Sequence, residues 1–255
     1  MKSDKKLAVV TGGTAGIGRE IALQLAAEGW DLAVNNLRED AQATTLIEEC
    51  EELGRECFFV PCDVGDKAAV DEFYRGVQLR FGTAPDLIVN NAGVQTWAPL
   101  LELQESDWDK VIRTNLKGAF LNIQLGARLM VEHKVKGCIV NIGSGCNKLA
   151  FPNLVDYAAS KGGVEMLTKS AAIELGEFGI RVNCVAPGGI LIDRTRDEAP
   201  DYEKVWGAIA PMGRVGLPSD IANAVTYFAD ARASFVTGQT LWVDGGVFSK
   251  ANWPY

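Results

Sequence analysis

Leu7-Ala-Val-Val-Thr-Gly-Gly-Thr-Ala-Gly-Ile-Gly18 joins a short apolar, β-branched run to a stretch in which Ile17, Ile21, Ala22 and Leu25 recur at helical spacing. The backbone at Gly12, Gly16 and Gly18 can turn sharply and approach a pyrophosphate, whose charge is met by free amides and the positive end of the helix dipole. Any tight strand-to-helix turn also favours glycine, and this spacing differs from the common G-x-G-x-x-G. Its place after the first strand and ahead of a helical pattern is what favours the dinucleotide reading.

Outward from that turn, short β-branched runs alternate with longer helical stretches. The runs are 7–10, 31–35, 57–61, 87–90, 138–142, 181–185 and 240–243; the helical stretches are 16–28, 41–53, 67–80, 106–131, 156–178 and 219–229. Such alternation predicts βαβ units on a parallel sheet, and several runs are apolar enough for burial on both faces. Ser106 and Ser219 serve as helix start signals. No linker or repeat interrupts the pattern, so residues 1–255 are read as one α/β domain. Residues 187–218 form a long irregular segment with a short helix near 201–210, the kind of loop that closes over a site.

Composition narrows the function classes. A chain of 255 residues that is 47% hydrophobic and 23% charged has the make-up of a globular protein, not a disordered or collagenous one. The net charge of −8 argues against a nucleic-acid partner, which needs a basic face. No run reaches the roughly 18 apolar residues of a membrane span, and the first apolar run is too short for a signal peptide. Cys50, Cys57, Cys62, Cys138, Cys146 and Cys184 are scattered without a C-x-x-C pair, as expected of buried thiols in a reducing cytoplasm. The single histidine, His133, stands in a polar stretch far from any serine motif, which rejects a Ser-His-Asp hydrolase and a histidine metal centre.

In the common dinucleotide arrangement an acid about 20 residues past the glycines takes the ribose hydroxyls and selects NAD. Here the second strand ends Asn35-Asn36-Leu37-Arg38. Arg38 can meet a 2′-phosphate, which leans toward NADP, or stand solvated beside Glu39 and Asp40. Asp63 after the third strand is either an acceptor for an adenine amino group or a helix cap.

Ser144 follows a predicted strand, while Tyr157 and Lys161, at i and i+4, share one face of a predicted helix. A phenol titrates near pH 10, and a neighbouring ammonium favours its charged form, so the pair is expected to lower the tyrosine pKa toward neutrality. Ser144 can hydrogen-bond a substrate oxygen. Singly these residues are common; the spacing joined to the glycine turn carries the reading.

Thr11-Gly-x-x-x-Gly-Ile-Gly18, Asn90-Asn-Ala-Gly93, Asn115, Ser144, Tyr157-x-x-x-Lys161 and Pro187-Gly188 stand in the order and spacing of a known family. Over nearly its whole length the chain resembles the short-chain dehydrogenases/reductases, sugar dehydrogenases and 3-ketoacyl-carrier-protein reductases among them. The resemblance implies a Rossmann-like, doubly wound sheet of about seven parallel strands with helices on both faces, and hydride transfer between a nicotinamide and an alcohol or carbonyl. It implies Tyr157 as general acid/base, Ser144 orienting the reacting oxygen, Lys161 holding the nicotinamide ribose and depressing the tyrosine pKa, and Asn115 anchoring a relay water. The cofactor residues it implies are Gly12, Thr14, Gly16, Ile17, Gly18, Asn36, Arg38, Asp63, Val64, Asn90, Ala92, Gly93, Tyr157, Lys161, Pro187, Gly188 and Ile190. A homotetramer is expected by the same resemblance.

One position departs from the pattern. Ile192 stands where the family often carries a hydroxyl, and Thr195 is the candidate replacement. Gln95, Trp97, Cys146, Asn147, Phe151, Asn153, Ile190, Leu191 and Trp206 are expected around the substrate, a mix of aromatic walls and amides that suits a cyclic or polyhydroxylated alcohol, a ketone or a β-keto thioester. Two other readings stand beside the oxidoreductase. A non-catalytic dinucleotide-binding sensor or scaffold is opposed by the intact catalytic set, and a lyase of the halohydrin dehalogenase kind by Lys161 and the complete glycine turn.

Overall fold

Seven parallel strands in the order β3-β2-β1-β4-β5-β6-β7 form one sheet in the computed structural model, which describes residues 6–251. They are β1 (Lys6–Thr11), β2 (Trp30–Asn36), β3 (Cys57–Pro61), β4 (Leu87–Asn90), β5 (Cys138–Ile142), β6 (Arg181–Pro187) and β7 (Thr240–Val243). The central strands β4 and β5 are buried along their whole length, while the edge strands β3 and β7 are half-exposed. This is why the middle strands read as continuous apolar runs: both of their faces are covered.

Two cores flank the sheet. On one face, Ile21 and Leu25 of α1 (Gly16–Ala27), Leu46 of α2 (Ala41–Glu52) and Ile221, Val225 and Phe228 of the last long helix pack over Val10, Leu32 and Val140. On the other face, Val70, Phe73 and Val77 of α3 (Lys67–Phe81) join Leu121 and Leu125 over Val9, Ile88 and Ile139. Consecutive residues of a strand serve opposite cores, the two-residue period of a pleated strand.

Helix boundaries follow local chemistry. Asp40 and Asp66 cap α2 and α3 by accepting two backbone amides each, and α3 stops at Gly82 in the left-handed conformation. The expected cap role of Asp63 therefore falls to Asp66. Pro218 opens α9 (Pro218–Ala229) with its backbone already set for a first helical turn, which places Ser219 inside the helix. Ser106 likewise lies inside α4 (Glu105–Val111).

The helix expected over 106–131 is not continuous. Between α4 and α5 (Gly118–Glu132) the chain makes a π-helical stretch, Ile112–Lys117. A π turn holds an extra residue and rotates the side chains that follow; the one buried residue of this stretch is Asn115. The remaining helices are α6 (Val155–Leu175), α7 (Asp193–Glu198) and α8 (Tyr202–Ile209). α7 was not visible in the sequence, because alternating charges hide a six-residue helix from any periodicity. Among the described residues no helix is long and apolar enough to cross a membrane.

Candidate active site

The strand order reverses between β1 and β4, and open parallel sheets bind ligands at the carboxyl ends of the strands at such a point. A groove of about 1300 Å³ lies there. Its first part is the glycine turn. Gly12 sits at φ +60°, and a Cβ on Gly18 would stand 2.3 Å from the Gly12 carbonyl oxygen. Only glycine fits either position. Helix α1 begins at Gly16 without a side-chain cap, so its first amides remain for a ligand. Asn35 lines the same groove, fully buried, with its Nδ2 unpartnered while its Oδ1 accepts from the Gly12 amide at 3.2 Å. Tight glycines, an uncapped helix start and an orphaned buried amide fit a phosphate-bearing dinucleotide.

The second part is the Ser, Tyr, Lys set. Ser144 caps a short 3-10 turn after β5, its hydroxyl accepting from Cys146 N at 3.2 Å, and it hydrogen-bonds the Tyr157 phenol. Lys161 is 5% exposed, donates to the Ile142 carbonyl at 2.7 Å and stands 5.6 Å from the Tyr157 ring centroid. Asn115 reaches the site from the π stretch, donating to Ser160 Oγ at 3.0 Å, and Ser160 donates to the Tyr157 carbonyl at 2.7 Å. Ser144, Tyr157 and Lys161 line the groove; Asn115 lies behind it.

Electrostatics corrects one expectation. Burial pushes the Tyr157 phenol up to about 12, with the Ser144 hydroxyl pulling the other way, and burial brings the Lys161 ammonium down to about 8. The tyrosine is not lowered by its lysine. Loss of hydration outweighs the partner, since burial is the largest influence on each of the two groups. A phenol in this state is a proton donor at neutral pH.

Of the other expected cofactor residues, Gly12, Gly16, Ile17, Gly18, Asn36, Asp63, Val64, Ala92, Gly93, Pro187, Gly188 and Ile190 line the groove. Thr14, Arg38 and Asn90 do not. Thr14 is fully buried and takes a hydrogen bond from Asn36 Nδ2 at 2.5 Å; Asn90 donates to Asn141 Oδ1 at 2.8 Å. Arg38 is exposed past the rim.

Among the expected substrate residues, Gln95, Trp97, Cys146, Phe151, Ile190 and Trp206 line the groove, whereas Asn147, Asn153 and Leu191 stand outside it. Asn147 turns back to close the turn it belongs to, its Oδ1 accepting from Ser144 N at 3.1 Å. Asn153 is exposed at φ +62°, a turn position that asparagine tolerates. Thr195 lines the groove, and its hydroxyl closes the start of α7 on the carbonyls of Ile190 and Ile192 at 3.2 and 2.9 Å. Ile192 lies over the glycine turn, its Cδ1 3.6 Å from where a Cβ on Gly16 would be.

Residues 12–248 match the family profile described as enoyl-(acyl carrier protein) reductase. The chain is 40% identical over 243 residues to the 3-oxoacyl-[acyl-carrier-protein] reductase FabG of Staphylococcus aureus strain Mu50, covering 95% of this chain and 98% of the relative. It is 41% identical to the protein of the same name from Staphylococcus epidermidis strain RP62A, covering 95% of this chain and 99% of that one.

The chain belongs to the short-chain dehydrogenase/reductase family.

Solved structures agree. A protein from Agrobacterium tumefaciens described as a candidate gluconate dehydrogenase superposes with a TM-score of 0.91 at 32% identity, covering 96% of this chain and 97% of that one. A candidate short-chain alcohol dehydrogenase from Sinorhizobium meliloti 1021 gives 0.90 at 33%, with the same coverage of 96% and 97%. This short-chain dehydrogenase/reductase is therefore an NAD(P)-dependent oxidoreductase acting on a CH–OH group of a small molecule.

Sequence reasoning missed part of the groove of this short-chain dehydrogenase/reductase. Leu37, Gln42, Asn91, Arg113, Arg194, Glu198, Tyr202 and Phe248 also line it. The Asn91 side chain donates to the Thr11 and Gly12 carbonyls, both at 3.0 Å, locking the glycine turn to the end of β4. Its place in Asn90-Asn-Ala-Gly93 was the available signal. Phe248 had none: it comes into contact with Gly145 and Phe151 only through the fold.

Proposed function

We propose that the enzyme reduces the carbonyl of a small polar ketone, with the Tyr157 phenol giving its proton to the carbonyl oxygen and the Ser144 hydroxyl hydrogen-bonding the same oxygen. The observation that carries this reading is the half-buried Ser144–Tyr157 contact with buried Lys161 behind it, in one groove with the glycine cradle. A bound nicotinamide dinucleotide supplies the hydride. The glycine turn and the α1 amides hold its phosphates, while Asn36, Asp63 and Val64 line the far end of the groove and Ala92, Gly93, Pro187, Gly188 and Ile190 its middle. Lys161, charged below its pKa of about 8, holds the ribose and steadies the phenolate that proton transfer leaves. Asn115 sits on the Ser160 link to the Tyr157 backbone carbonyl, behind the groove, and its role there is to anchor a relay water, as the resemblance implies.

Trp97, Phe151, Trp206, Tyr202 and Phe248 with Gln95 line the same groove as Ser144 and Tyr157. The relatives named as 3-oxoacyl reductases make a β-keto acyl compound the first substrate to test, and the neighbour described as a gluconate dehydrogenase makes a sugar acid the second. Absorbance at 340 nm with each dinucleotide against β-keto esters, ketones, cyclic alcohols and sugars tests both. Turnover ranks the substrate class and cofactor. Silence across the panel with dinucleotide binding intact by calorimetry means that the substrate lies outside the classes tested.

NADP is proposed over NAD. At the end of β2 no carboxylate meets a ribose: Asn36 bonds Thr14 and Leu37, and Asp40 faces the α2 amides, accepting from Gln42 N at 3.0 Å and Ala43 N at 3.1 Å. Arg38 follows groove-lining Leu37, and its exposed guanidinium next to the groove supports its reading as the partner of a 2′-phosphate. Arg38→Ala is expected to lower the NADP:NAD ratio of kcat/KM by about tenfold, the worth of one charge-assisted contact. A ratio equal to wild type removes Arg38 from the proposal.

One domain over 1–255 with a substrate loop at 187–218 is proposed on the single sheet and on α7 and α8, which bring groove residues from that segment. A cytoplasmic homotetramer without nucleic-acid partners is proposed alongside, supported by six unpaired cysteines, by apolar Ile173 and Phe235 on the surface, and by the net charge of −8.

A further inference from the structure

Gln95 and Trp97 face the groove from a stretch that belongs to no helix or strand. Such a stretch is as rigid as the bonds that tie it to its neighbours. At its start, Val94 N donates to Asn115 Oδ1 at 2.8 Å, and Asn115 Nδ2 donates to the Val94 carbonyl at 2.9 Å. At its end, Ala98 N donates to the Asn153 carbonyl at 3.1 Å. Between them the Thr96 hydroxyl donates to Asp156 Oδ2, and Asp156 Oδ1 accepts from the Tyr157 amide at 2.7 Å.

Asp156 is 1% exposed. A buried carboxylate needs such partners, and bonds to it are stronger than those between neutral groups. Its placement is not that of an ordinary cap. The residue before α6 is Leu154, and Asp156 lies inside the first turn with one oxygen on its neighbour's amide and the other on a hydroxyl 60 residues away. Neither Thr96 nor Asp156 lines the groove.

We propose that Asp156 is a positioning residue: through Thr96 it locks the Gln95–Trp97 wall to the first turn of α6, and so sets where the substrate stands relative to the Tyr157 phenol. This rests on the role proposed above for Tyr157. Thr96 and Asp156 act together here, since the hydroxyl reaches the wall and the carboxylate reaches the helix.

Thr96→Val keeps the side-chain volume, removes the link and leaves Asp156 on the Tyr157 amide; Thr96→Ser keeps the hydroxyl. Rates are read for reduction of ethyl acetoacetate by NADPH or oxidation of gluconate by NADP, whichever the wild type turns over faster, with dinucleotide affinity by calorimetry. Loss of a hydrogen bond to a charge predicts a substrate KM raised about tenfold in Thr96→Val, dinucleotide affinity within about twofold of wild type, and recovery in Thr96→Ser. A substrate KM within about twofold of wild type overturns the proposal, as does a KM that Thr96→Ser fails to restore. Parallel loss of dinucleotide affinity, or failure of Thr96→Val to bind dinucleotide at all, also overturns it, because the link would then support the fold rather than the wall. Tyr157→Phe separates the two ideas: if that variant keeps turnover, the assigned proton donor is wrong, while the KM of Thr96→Val still decides the link.

Discussion

Tyr157→Phe is expected to reduce kcat by about a thousandfold, the range for removal of a general acid, while dinucleotide affinity stays within about twofold. The two effects separate because the phenol oxygen faces Ser144, while the grip on the dinucleotide proposed above lies mainly at the glycine turn. Burial already holds the phenol protonated, with its pKa near 12. Removing the hydroxyl therefore deletes the proton and little else. The measurement is steady-state turnover beside calorimetric binding, and turnover near the wild-type level would remove Tyr157 from the mechanism.

Lys161→Met is expected to cost turnover about a hundredfold or more and to respond to pH in the opposite sense to an ordinary lost ion pair. Burial brings this lysine from 10.5 down to about 8, so the folded chain disfavours its charged form. The resulting cost is fully present below pH 8, shrinks as pH rises toward 10.5 and is gone above it. At about 1.4 kcal/mol per pKa unit it amounts to about 3 kcal/mol at neutral pH. Methionine removes that cost but strands the Ile142 carbonyl, which the ammonium meets at 2.7 Å, a loss of about 1–3 kcal/mol. The variant should thus equal or exceed wild type in stability near pH 7, and its relative standing should fall by about 2 kcal/mol by pH 9.5. Tyr157 does not blur this window, because its raised pKa lowers stability only above pH 10. Urea unfolding at both pH values checks it, and a difference that does not change with pH would contradict a lowered Lys161 pKa.

Much of the site was legible because its signals are local. Gly12, Gly16 and Gly18 belong to one turn, Tyr157 and Lys161 to one helix face, and Ser144 to the turn after one strand. Each can be placed by counting along the chain. Asn147 and Asn153 were misplaced for the converse reason. Both follow Ser144 closely, as wall residues would, yet Asn147 satisfies a backbone amide in its own turn and Asn153 points into solvent. Sequence distance from a catalytic residue does not give side-chain direction.

By itself the sequence determined the parallel α/β sheet, the glycine turn and the grouping of Ser, Tyr and Lys, since strand and helix periods and turn chemistry are written in neighbouring residues. Tertiary structure decided what depends on residues far apart in the chain. The π stretch Ile112–Lys117 aims Asn115 at Val94 and Ser160; Thr96 finds Asp156; Phe248 returns to wall the groove beside Gly145. It also decided the sign of the Tyr157 shift, because a neighbouring ammonium can be read from a spacing of four, whereas the loss of water around both groups exists only once the chain has closed over them.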